Sequence, residues 1–238
     1  MSPLVEILLL TTLAGACIPL GGLLASIERF RPHWLEREFR HFVIAFGGGI
    51  LLGALAVVLV PEGKALLEGS LWTIPIILAG GLAFFAIERV LGLRRREAPQ
   101  LMGMILDFMP EAVALGGMMA SESPIAPLLA LLIGLQNLPE GFNAYRELRD
   151  QGRTRRTTLA TMSALVAVGP ASGVTGYLVL SDHPSVLGGI MLFASGGILY
   201  LIFQDIAPQS RLDRHWGPPL GAVLGFCLAL FSRMLAGG

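Results

Sequence analysis

Histidine and cysteine, the side chains that most often mark metal and redox chemistry, are scarce: four His and two Cys in 238 residues. His33, His41, His183 and His215 all fall at loops or helix ends, so no HExxH-type metalloprotease helix is present. Cys17 and Cys227 stand in apolar runs at opposite ends of the chain. They form neither a disulfide framework nor a CxxC motif and read as packing residues. Net charge is also missing, with 17 Lys+Arg against 17 Asp+Glu. Electrostatics therefore gives no reason to expect nucleic acid as a partner. No Walker signature appears, so ATP driving is not expected. No Ser/His pairing presents itself either. The expectation is a protein that is not an enzyme and carries no cofactor.

Charge of either sign is itself low, 14% of residues, whereas a soluble domain carries about 25%. Hydrophobic residues make up 54%, and the mean hydropathy is +0.70. The 30 Gly and 15 Pro would mean loops in a soluble protein. In membrane bundles glycine lets helices approach closely and proline is tolerated. The first apolar run reaches Cys17 and continues past it, and Met1 to Glu6 holds an acid and no Lys or Arg, contrary to a signal peptide. It reads as a retained first helix. No stretch resembles a separate soluble domain.

Apolar segments of spanning length, about 17–25 residues each, lie at 4–25, 41–61, 72–93, 99–120, 125–145, 158–180, 185–206 and 218–235. The sixth is expected to break at Gly169-Pro170. The loops one–two, three–four, five–six and seven–eight hold 4, 4 (with Arg89 at the end of the third segment counted), 5 and 2 Lys or Arg; the alternate loops hold Lys64 alone. By the positive-inside rule both termini face away from the cytoplasm. The expected fold is one all-α integral membrane domain over residues 1–238, with eight helices, N-out and C-out. Small size and the lack of a transit peptide point to a bacterial or archaeal plasma membrane.

Two short stretches inside the fourth and fifth spans share one pattern. Asp107-Phe108-Met109-Pro110-Glu111 and Gln136-Asn137-Leu138-Pro139-Glu140 each place a proline three residues, and a glutamate four residues, after a polar side chain. Charge at bilayer depth costs at least ~2.5–3.5 kcal/mol per residue on insertion scales, so a cluster of acids calls for a role. Each proline removes one helix bond and loosens a carbonyl, those of Leu106 and Leu135. Positions i and i+4 share a helix face, so Asp107 pairs with Glu111 and Gln136 with Glu140. Such a set of facing oxygens is a candidate cation site, or else buried polar glue between helices. Asn137 either joins the metal or hydrogen-bonds across the bundle.

These motifs resemble those of the Zrt/Irt-like (ZIP) family of divalent metal transporters, whose fourth and fifth helices commonly read His-Asn-x-Pro-Glu-Gly and His-x-x-Pro-Glu-Gly. Pro61-Glu62, Gly80 to Glu88-Arg89, Gly169-Pro170, and Gly197-Ile198-Leu199-Tyr200 with Pro208 look similar as well, so the resemblance runs along the whole chain. It implies eight spans in a 3+2+3 arrangement, with inverted repeats flanking helices four and five, alternating access, and a homodimer as a partner state. It also implies a metal site of Asp107, Glu111, Gln136 and Glu140. The chain departs from the pattern at Asp107 and Gln136 (usually His), at Phe108 (usually Asn) and at Gly169, where many members have Glu. One metal site, or a weaker second one, is the expectation.

The transported substrate would be a divalent cation moving toward the cytoplasm. Imidazole and thiolate suit zinc, whereas carboxylate and carbonyl suit harder ions. A site without nitrogen leaves Fe2+, Mn2+ and Cd2+ beside Zn2+. Glu62 at the outer mouth, and Gln204 with Asp205 near the inner end of helix seven, are candidate pathway residues. Interfacial roles are their alternatives, for Asp205 as a partner of Arg211 or Arg214. Met102, Met104, Met109, Met118 and Met119 crowd helix four as thioethers or gap-fillers. Arg94, Arg95 and Arg96, like Arg153, Arg155 and Arg156, read as topology determinants and lipid contacts. The rival reading is a metal-sensing or structural membrane protein that keeps a degenerate site and does not transport.

Overall fold

The computed structural model describes residues 2–27, 33–93, 99–212 and 216–237, which are helical with no β-strand among them. Arg94, Arg95, Arg96, Arg214 and His215 lie outside the described residues. We number the helices α1 (Pro3–Ile27), α2 (His33–Ala54, running through a π-helical turn Leu55–Leu59 into Val60–Leu66), α3 (Thr73–Leu93), α4 (Pro99–Ala120) and α5 (Ala126–Asp150). They are followed by α6 (Arg155–Leu165, resuming at Val168–Leu180), α7 (Pro184–Leu201, a π-helical turn Ile202–Ile206, then Ala207–Ser210) and α8 (Leu220–Leu235).

Six of these are long and apolar enough to cross a membrane: α1 to α4, α6 and α7. Helix α8 is apolar but short. Helix α5 falls short for a different reason, since it carries Gln136, Asn137, Glu140, Asn143 and a charged C-terminal end. Its polarity is tolerated because 16 of its 25 residues are buried among other helices. In lipid a polar stripe survives only where protein covers it.

Proline explains the irregularities. In both α2 and α7 a five-residue π turn ends two residues before a proline, Pro61 and Pro208. A proline ring clashes with the carbonyl one turn back, and widening the helix accommodates it. Pro61 therefore does not end α2, which continues to Leu66. The break in α6 falls at Val166-Ala167, ahead of the expected Gly169-Pro170, because Pro170 cannot donate to the Val166 carbonyl. Helices α4 and α5 also carry internal prolines, Pro110 and Pro139, whose loosened carbonyls do not break them. Each instead runs on as one α-helix, since a single proline removes one bond and the neighbouring turns hold.

The helices pack side by side in parallel pairs, α1 with α5, α4 with α6, α2 with α8 and α3 with α7, and α2 also packs closely on α7. Glycine makes each approach possible. A Cβ on Gly21 would lie 2.1 Å from Leu138 O, and one on Gly116 would lie 1.9 Å from Gly173 O. The same holds at 2.1 Å for Gly49 against Ala222 O and at 1.9 Å for Gly80 against Phe193 O. Without hydrophobic drive in lipid, such backbone contact is what holds membrane helices together. The secondary contacts, α2 with α5 and α4 with α7, follow the same scheme. Exchanging α1 with α6, α2 with α7, α3 with α8 and α4 with α5 maps the pairing onto itself. Burial divides alike: the spanning windows of α2, α4 and α7 are 67%, 56% and 61% buried, those of α1, α3 and α6 39%, 17% and 28%. Helices α2, α4, α5 and α7 thus form the inner set, where the polar motifs lie.

Candidate functional site

Asp107 and Glu111 on α4 meet Gln136 and Glu140 on α5, with Asn137 next to Gln136 in the chain. Asp107 is 3% exposed, and Glu111, Gln136 and Asn137 are fully buried. The Gln136 amide Nε2 donates to Glu111 Oε2 across the helix interface. Asp107 lies within electrostatic reach of both Glu140 and Glu111. Its Oδ1 accepts the Phe108 backbone N–H at 2.7 Å. Asn137 is engaged elsewhere, its Nδ2 donating to Ala14 O of α1 at 3.0 Å.

After these bonds, five oxygens remain buried without a hydrogen-bond partner: Glu111 Oε1, Gln136 Oε1, Asn137 Oδ1 and both Glu140 oxygens. Buried polar atoms are nearly always satisfied, and all five here are acceptors. A surplus of acceptors at one place is met by donors or by a cation. Every one of these donors is oxygen; the histidines described lie elsewhere, His41 bonding Arg37 O and His183 preceding α7. Among the described residues no three carboxylate, imidazole or thiolate groups close around one point. The arrangement is an open set of oxygens, not a finished cage.

A cavity of about 30 Å³ adjoins the cluster, lined by Gly103, Met104, Asp107, Glu140, Leu201, Asp205 and Ile206. That is room for roughly one water-sized ligand. The π turn of α7 carries Asp205 to this cavity, so one of the candidate pathway residues joins Asp107 and Glu140. Gln204 does not; it faces the outer groove between α3 and α7 with Phe85 and Tyr200. Glu62 is half-buried in the last turns of α2, apart from the cavity. Of the methionines, Met104 lines the cavity and Met118 is core, while Met109 is 53% exposed. Sequence reading did not single out Gly103 as a lining position. Its signal was available: Gly103, Asp107 and Glu111 recur every four residues along one face of α4.

Phe108 points away from the oxygens. Its ring, 2% exposed, fills the space between Gly15 of α1 and Gly169 of α6, where added Cβ atoms would lie 3.2 and 2.7 Å from Cζ.

Comparison with known proteins gives two likenesses, one over part of the chain and one of low identity over nearly all of it. The chain is 34% identical over 143 residues to the zinc transporter GufA of Myxococcus xanthus, a match covering 58% of this chain and 55% of that protein. It therefore spans about half of GufA's length. It is 24% identical over 282 aligned positions to the zinc transporter ZupT of Chlorobium luteolum, covering 99% of each. No family model matches the chain.

Proposed function

We propose that this protein is a multi-pass membrane transporter that carries divalent metal cations toward the cytoplasm by alternating access, without ATP. The observation that carries this reading is the group of unpartnered oxygens of Glu111, Gln136 and Glu140 buried between α4 and α5. Intramembrane acids without partners are costly and are kept where ions pass. Both relatives are named as zinc transporters, in keeping with a transport role and with no enzymatic one.

In this reading Glu111 and Glu140 are the principal ligands, and Asp107 and Gln136 complete the shell around the transported ion. The Gln136 bond to Glu111 holds both side chains ready until an ion displaces it. Asn137 serves the α1 contact through its nitrogen and leaves its oxygen to the site. Asp205 extends the path at the small cavity. The pairing scheme that maps α1, α2 and α3 onto α6, α7 and α8 supports the 3+2+3 inverted repeat, with both termini outside. The glycine contacts between pairs give surfaces on which one bundle slides against another. Because ligand carboxylates must be deprotonated, acidification weakens binding, and ion release can be coupled to proton uptake. An all-oxygen shell accepts manganese, iron(II) and cadmium beside zinc.

One observation favours the rival reading, a structural or sensing protein. Gln136 Nε2 and Glu111 Oε2 already bond each other across the interface without an ion. Uptake of radioactive zinc and manganese into proteoliposomes separates the two, comparing wild type with Glu111→Ala/Glu140→Ala. Flux abolished in the double variant supports transport through this site. Equal flux in both places the ion elsewhere, and no flux in either favours the structural reading.

A further inference from the structure

Helix α5 carries a second feature that the central site does not use. Gln136, Glu140, Asn143 and Glu147 recur at spacings of four, three and four, which lines them along one face. The neighbours of α5 fix where that face points. Leu138, Gly141 and Tyr145 lie against α1, at Gly21, Ile18 and Gly22. Pro139 meets Gly47 of α2, and Phe142 stacks edge-on against Phe39 of α2 at 6.1 Å. The polar face is turned from α1, on the side where Glu140 lines the cavity with Asp205 and Ile206.

Asn143 is the telling member. It is 5% exposed, and its Oδ1 has no hydrogen-bond partner. Polar residues that serve as glue between helices find a partner across the interface, as the Gln136 nitrogen does in Glu111, whereas Gln136 Oε1, both Glu140 oxygens and Asn143 Oδ1 stay open along this face. A buried amide oxygen left open in a membrane helix costs stability unless something passes or binds there. The eleven residue steps from Gln136 to Glu147 rise about 16 Å, roughly half the thickness of a bilayer's hydrocarbon core. The stripe therefore reaches from the central site to the end of α5 that bears Arg149, near Arg153, Arg155 and Arg156.

We propose that the inner half of the ion path runs along this stripe, with Asn143 Oδ1 receiving a partly hydrated divalent cation from Glu140 and passing it toward Glu147. The inference rests on the transporter reading above. Asn143 acts as a neutral oxygen ligand between two acids, close enough to take the ion and too weak to trap it.

The test reads transport and central binding separately. Purified protein in proteoliposomes is assayed for initial zinc uptake, and the same preparations for stabilisation by zinc against heat. Asn143→Leu is expected to lower uptake about tenfold, the usual scale for losing a supporting ligand, with zinc stabilisation kept. Asn143→Asp, which keeps the oxygen, is expected to retain uptake. Wild-type uptake in Asn143→Leu overturns the stripe and leaves the transporter reading intact. Joint loss of uptake and stabilisation also overturns it, because the residue is then structural. Absence of zinc flux in wild type overturns both readings. If Asn143→Leu does not fold, Asn143→Cys in a Cys17→Ser/Cys227→Ser background is treated with a membrane-impermeant thiol reagent from the inner face. Modification slowed by zinc supports the path, and no modification overturns it.

Discussion

The ring of Phe108 occupies the space that a side chain at position 169 would need. A Cβ on Gly169 would sit 2.7 Å from Phe108 Cζ and 2.8 Å from Thr11 O. The two departures from the ZIP-like pattern at these positions are thus one packing decision: a buried phenyl ring on α4 and a missing side chain on α6. Apolar packing fills a place where that pattern has ligands, which supports a single site built on Glu111 and Glu140.

That relationship predicts coupling. Gly169→Ala overfills the contact and should cost about 1–3 kcal/mol. Phe108→Ala leaves a cavity and should cost about 3–5 kcal/mol. The double variant should be less destabilised than the sum, by about 0.5–3 kcal/mol, since the ring clash is gone. Relief is incomplete because Thr11 O remains. Thermal melts of the four proteins in detergent form the cycle, and strict additivity would show that ring and glycine do not share the space.

How much of this was legible in sequence depends on what a single residue can announce. Asp107, Glu111, Gln136 and Glu140 stood out because charge and amide in an apolar run are expensive, and the structure brings the four together. Hydrophobic runs located all eight helices to within a few residues, apart from ends such as that of α5, which extends to Asp150 through residues expected to be linker. Three-dimensional partners were not readable: Asn137 donating to Ala14 O, Asp205 turned to the cavity and Gln204 turned from it. Both of the last two residues lie in the π turn of α7, and a π turn adds a residue to a helix without any composition of its own. Pro61 and Pro208 were visible, but not whether each would stop, kink or widen its helix.

A donor swap tests the oxygen shell. Gln136→His introduces an imidazole nitrogen next to Glu111, and nitrogen favours zinc over manganese. A gain of about 1.4 kcal/mol for zinc alone would raise its preference about tenfold. Competition between labelled zinc and unlabelled manganese in uptake measures the ratio. An unchanged ratio with intact transport would place position 136 outside the ion's shell.

The glycine contacts make a sharper statement about the bundle. Gly116→Ala and Gly80→Ala drive a methyl group into backbone carbonyls, of Gly173 and Phe193, that cannot move without shifting a helix. Each should cost about 1–3 kcal/mol of stability. Gly103→Ala is the control: nothing lies within 4 Å of its added Cβ, and the change should stay within about 0.5 kcal/mol. Melting temperatures of the three variants order them, and a Gly103→Ala protein as unstable as the others would mean that contact does not set the effect, since helix propensity favours alanine over glycine.

Orientation can be tested at α5, the long helix that is not among the six apolar spans. If it crosses, its polar residues would be carried by pairing with α4 through the short turn after Ala120 and by the cover of α1 and α2. If the chain crosses eight times with both termini outside, Ser121 and Asp182 lie outside and Gln151, in the Arg-rich linker, lies inside. Single variants Ser121→Cys, Asp182→Cys and Gln151→Cys, made in the Cys17→Ser/Cys227→Ser background, are labelled on intact cells with an impermeant maleimide. Positions 121 and 182 should react at once, and position 151 only after the membrane is opened. Labelling of 121 and 151 from the same side would mean that α5 does not cross. Glu111 and Glu140 could then not face each other from two spanning helices, and the site itself would be lost along with the topology.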